Sequence, residues 1–141
     1  MSQALTWLAT ARGDYVIDVV IGGLAASAMV DSGLVDPAEL VGFELRPALF
    51  DQLQEAGLLK ELATRTRRDA GGRMSVMHVG KVSAFLARPK TAEAAGPEVE
   101  LFVARSSEGM PGRVGLAFFH RLVGCRIVWD CSARTWSVRL P

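Results

Sequence analysis

The chain has two cysteines, two histidines and a formal charge of +1 in 141 residues, and each scarcity closes off a class of protein. Cys125 and Cys131 flank one strand-like stretch at a spacing that matches no zinc pattern. Reduced thiols of a cytoplasmic protein are expected there, not a disulfide framework. His78 and His120 lie far apart in sequence without neighbours at metal-ligand spacing, so they read as a strand residue and a helix-surface residue, with no metal and no cofactor expected. The balanced charge lacks the broad electrostatic pull of a polyanion binder, and no nucleic-acid partner is expected. No apolar run approaches the length of a bilayer span, and "MSQALTWLATARGDY" has no basic start leading into an apolar core; no membrane partner is expected. No internal repeat stands out, and no glycine-rich loop followed by lysine is present to cradle a phosphate.

What is abundant is apolar side chain: half of the residues are hydrophobic, enough for one core and one domain over residues 1–141. "DYVIDVVI", 14–21, puts Tyr15, Ile17, Val19 and Ile21 on one face and Val16 and Val20 on the other, a strand buried on much of both faces. Gly22 and Gly23 supply a tight hairpin turn, and "LAASAMV" returns toward Asp31. Pro37 and Gly42 break up the next stretch. Pro47 then opens a helix with Leu49, Phe50, Leu53 and Ala56 on one face, which Gly57 can end. "DAGG", 69–72, turns a projecting hairpin, and "KTAEAAGPE", 90–98, reads as a surface loop before the strand "VELFVAR". "RVGLAFFHRLVG" passes through Gly115 into a short helix carrying Phe118, Phe119 and Leu122. "CRIVWD" and "TWSVRLP" make a closing hairpin that pairs Trp129 with the neighbourhood of Trp136. Trp7, Trp129 and Trp136 read as core or dimer-sheet residues.

One carboxylate stands out because it sits where a strand leaves the core: Asp31 in "AMVDSGLVDP", followed by Ser32 and Gly33. A turn residue that caps the loop through its own side chain is one reading. Half of a two-carboxylate active site is the other. Ser32 has no His and Asp arrangement for serine chemistry.

The order of elements, with "MVDSG" at 29–33 and "RVGLAFFHRL" at 113–122, resembles the retroviral-type (retropepsin-like) aspartic proteases. An Asp-Ser/Thr-Gly triplet alone would occur by accident in about one chain in fifteen of this length, so the ordering carries the resemblance, which spans residues 14–140. It implies a mainly β fold, a closed or partly open barrel with one or two short helices, active as a two-fold homodimer on a peptide or protein substrate. Asp31 of each chain would supply one catalytic carboxylate. Ser32 would hold the two loops together, and the Gly33 amide would hydrogen-bond the carboxylate. Gly115 marks the family's apolar-Gly step, and Ala70, Gly71 and Gly72 would form the tip of a flap over substrate, unless the hairpin is an ordinary exposed one. Arg65, Arg67 and Arg68 before it read as a solvated face.

The chain departs from the family pattern in places. Leu34 stands where the family has Ala or Ser. Without a hydroxyl there to favour the ionised pair, a mildly acidic to neutral optimum is expected. Val35 and Leu116 replace both halves of an ion pair, removing a substrate-backbone contact for which Asp36 is the neighbouring candidate. These departures also fit an inactive protease-like module for dimerisation or protein interaction, or an enzyme that cleaves only a dedicated partner.

Overall fold

The structure, a computed structural model, describes residues 3–34, 41–68 and 71–141. Along the chain run β1 (Ala4–Leu8), β2 (Val16–Ile21), β3 (Leu24–Val30), β4 (Val41–Leu45), α1 (Pro47–Glu55), β5 (Lys60–Arg68), β6 (Met74–Ala87), β7 (Ala94–Arg105), β8 (Arg113–Val114), α2 (Leu116–His120), β9 (Arg126–Asp130) and β10 (Thr135–Arg139). The β2–β3 hairpin forms as its sequence dictates. Gly22 and Gly23 both take positive φ, the conformation that a two-residue turn between right-twisted strands demands. Ile17, Val19 and Ile21 are fully buried.

Six strands close a ring in the order β2-β3-β8-β4-β7-β6, with β2 pairing back onto β6 and β5 added outside β6. Pairing is antiparallel except between β3 and β8 and between β4 and β7. A second, three-stranded sheet, β1-β10-β9, aligns Trp7 with Trp136 and Trp136 with Trp129. The Trp7 indole N–H donates to Asp18 on β2 at 2.8 Å, which ties the small sheet to the ring. Phe43, Phe118 and Phe119 join one core cluster with Trp136, the Phe43 and Phe118 rings 4.9 Å apart. Mainly β architecture with two short helices is therefore what the described residues adopt, as expected.

Three expectations need correction. The stretch that Gly42 was expected to break is β4, buried along its whole length. A Cβ on Gly42 would run into the Leu101 side chain, so this glycine lets two strands approach closely and does not interrupt a strand. The loop expected over 90–98 gives way to strand from Ala94. Ala94 and Ala95 pair with Ala87 and Leu86, and Gly96, Pro97 and Glu98 take up the extra length as a bulge opposite Phe85. The third concerns α1: Pro47, Phe50 and Leu53 are buried, but Ala56 is exposed beyond the helix end, where Gly57 turns the chain at positive φ. At the N-terminus, β1 is a strand that the residue pattern did not announce.

The β5–β6 hairpin projects, with most of β5 and the first residues of β6 exposed. Cys125 and Cys131 carry free thiols, and burial pushes the Cys125 thiol up. Among the described residues no helix is long and apolar enough to cross a membrane.

Candidate active site

The Asp31 loop is assembled by backbone hydrogen bonds from three separate segments. Met29 and Val30, at the end of β3, run parallel to Arg113 and Val114 of β8. The Asp31 N–H donates to the Val114 carbonyl at 2.9 Å, and the Gly115 N–H donates to the Gly42 carbonyl at 2.9 Å. Asp31 therefore stands beside the step into α2. The chain then turns sharply: the Gly33 N–H donates to Asp31 Oδ1 at 2.9 Å, and the Leu34 N–H to the Asp31 carbonyl at 3.1 Å. That side-chain bond is the local turn that aspartate favours, and it is also the amide contact expected of Gly33 at a catalytic carboxylate. The other oxygen, Oδ2, faces the Arg113 guanidinium, and the side chain is partly exposed.

Gly115 is needed for space. A Cβ there would collide with the Leu34 carbonyl oxygen and crowd the Leu34 side chain, so Leu34 occupies the room that the glycine leaves.

Charge around Asp31 is arranged in a row. Arg113 Nη1 lies 3.5 Å from Asp31 Oδ2 and 3.9 Å from Glu44 Oε2. Arg67 Nη1 donates to Glu44 Oε1 at 2.5 Å. Glu44, only 6% exposed, is the charged member of an otherwise apolar strand. Sequence reasoning missed this row and placed Arg67 on a solvated face. A lone acid in "VGFEL", a segment with no polar neighbour to share its burial, was the available signal.

A cavity of about 250 Å³ opens against the loop, walled by Tyr15, Val30, Asp31, Ser32, Phe119 and Trp129 among others. The Trp129 indole N–H donates to the Tyr15 hydroxyl at 3.1 Å, and their rings meet edge to face. Asp31, Ser32, Gly33 and Gly115 are thus brought together. Gly71 and Gly72 lie at the turn end of the β5–β6 hairpin, exposed, with Gly72 at positive φ. Asp36 and Ala70, like Val35 and Asp69, lie outside the described residues. Among the described residues no group of three or more His, Cys, Asp or Glu side chains is gathered to hold a metal ion.

The chain matches no protein-family model and no curated protein sequence. Among solved structures it is similar to the crystal structure of a retropepsin-like aspartic protease from Rickettsia conorii, at 16% sequence identity, with a TM-score of 0.65. The superposition covers 99% of this chain and 92% of that one. At such low identity the likeness is one of architecture, and the strand ring that carries Asp31 has the retropepsin-like fold.

Proposed function

We propose that the protein is an aspartic endopeptidase whose active site forms between two copies of the chain, each contributing Asp31. One observation carries the reading: on a retropepsin-like fold, the Asp-Ser-Gly loop leaves β3 beside Gly115 with Oδ1 held by the Gly33 amide and the partly exposed Asp31 lining a cavity.

The chemistry needs two carboxylates sharing one proton across a water molecule. The ionised one takes a proton from the attacking water as its oxygen bonds to the peptide carbonyl carbon, while the protonated one donates to the carbonyl oxygen. Collapse of the tetrahedral intermediate breaks the C–N bond, with a proton passing to the leaving amine. One chain supplies one such loop, so a two-fold axis must supply the other. Exposed apolar residues support that assembly. Ile127, Val128 and Trp129 lie on β9, one of the two outer strands of the small sheet, and Trp129 also walls the cavity against Asp31 and Ser32. A single interface running from the loop to this edge would cover both and pair an edge that otherwise invites aggregation. The projecting β5–β6 hairpin, with glycines at its turn, is placed by this reading over the bound peptide, excluding water.

The test is cleavage of a diverse peptide library between about pH 4 and 7.5, with Asp31→Asn as control and sedimentation of both proteins. Cleavage by a dimer that Asp31→Asn abolishes, while dimerisation persists, supports the reading. A stable dimer without cleavage turns it to an interaction module, and a monomer removes the two-chain site.

A further inference from the structure

Asp31 Oδ2, Arg113, Glu44 and Arg67 form an alternating row of charge that begins at the loop and ends on the β5–β6 hairpin. The backbone fixes its middle. Glu44 and Arg113 are direct partners across the β4–β8 pairing, and Arg113 stands opposite Met29, two residues before Asp31. Glu44 is buried, and a carboxylate in that position costs desolvation that an apolar residue of similar volume would avoid. A cation on each side makes the burial tolerable, and the arrangement holds geometry more than it adds stability.

The two oxygens of the Asp31 carboxylate meet different restraints. Oδ1 is fixed by the Gly33 amide at 2.9 Å, and Oδ2 faces the Arg113 guanidinium at 3.5 Å. Together they set the rotation of the carboxylate plane. Arg113 is itself held between Asp31 and Glu44, and Glu44 is held from its far oxygen by Arg67, the penultimate residue of β5. Arg67 thus links the hairpin strand to Glu44, and Glu44 links it to Arg113.

We propose that Arg113, seated by Glu44, is a positioning residue that sets the direction of the Asp31 carboxylate, and that Arg67 couples this direction to the β5–β6 hairpin. The kinetic consequence rests on the proteolytic reading of Asp31; the mechanical coupling does not.

The test uses the full chain with Arg67→Met, Glu44→Gln, Arg113→Met and Arg113→Lys, read by backbone amide resonances and by peptide cleavage. Coupling predicts that Arg67→Met shifts the resonances of Asp31, Ser32 and Gly33, and that Glu44→Gln does the same. Changes confined to β4, β5 and β6 overturn the proposal, whether or not the protein cleaves peptides. On a cleaved peptide, Arg113→Met lowers kcat on the order of 10²-fold through carboxylate misplacement, while KM stays within about threefold and Arg113→Lys recovers about a tenth of the activity or more. An unchanged kcat per folded dimer in Arg113→Met also overturns it. If the wild-type protein cleaves nothing, the proteolytic reading fails, and the resonances of Asp31 to Gly33 alone decide the coupling.

Discussion

The Leu34 carbonyl oxygen and the α-carbon of Gly115 are packed against each other so closely that no methyl group fits between them. The obstacle is backbone, next to an Asp31 loop tied to β8 by the Asp31–Val114 hydrogen bond, and backbone yields less readily than the end of a flexible side chain. Gly115→Ala should therefore destabilise the fold by about 3 kcal/mol and displace the Asp31 loop. Urea denaturation of the variant checks the first effect, and loss of cleavage greater than the loss of folded protein checks the second.

Glu44 binds two arginines from a buried position, so removing it alone leaves both cations short of a partner. Glu44→Ala should cost about 2–3 kcal/mol, less than a fully buried triad because Arg67 is partly exposed. Replacing Glu44, Arg67 and Arg113 together by methionine should recover most of that stability without recovering catalytic rate. Chemical denaturation of both variants, beside their cleavage rates, separates what the row does for folding from what it does for Asp31.

Phe118 is fully buried, in ring contact with Phe43 of β4 and with Phe119. Through it the short helix α2 is anchored to the ring of strands, since five residues of helix have little stability of their own. Phe118→Ala should lower unfolding stability by about 3–5 kcal/mol, seen as a fall in the urea midpoint at constant slope.

Acid should weaken the fold through two carboxylates remote from the site. Hydrogen bonds from Arg105 hold Asp51 below its ordinary value, and the Ala133 amide, followed by the Ser132 hydroxyl, does the same for Asp130 at the β9–β10 turn. A carboxylate held low contributes its full stabilisation above the ordinary value of 3.8 and loses it as the pH falls through the lower folded-state value. Stability should fall as the pH drops below about 4, and the fall should be shallower in Asp51→Asn. Denaturation midpoints from pH 2 to 6, about the range the linkage spans, check both.

The readable parts of the sequence were those whose signal is local. Gly22-Gly23 between alternating apolar runs, Pro47 at the start of α1, and Trp129 opposite Trp136 each follow from a few adjacent residues, and the structure forms all three. The parts that were not readable depend on distant segments. Gly42 resembles a breaker until Leu101 is seen to need its space, and the bulge at 96–98 makes sense only against Leu86 and Ala87. The candidate site divides in the same way: Asp31, Ser32 and Gly33 are contiguous and were legible, as was the Gly33 amide contact. The row through Arg113 and Glu44 was not, because it joins β8 to β4 and β4 itself was hidden by its unbroken burial.

The most direct test of a shared active site is to mix wild-type protein with Asp31→Asn at increasing ratios, allow the chains to exchange, and measure cleavage at constant total protein. If each site takes one carboxylate from each copy, a one-to-one mixture keeps about one quarter of the activity of the same total amount of wild-type protein, because only homodimers of wild type remain competent. Retention of about one half, with activity simply proportional to wild-type chain, would contradict the two-chain site.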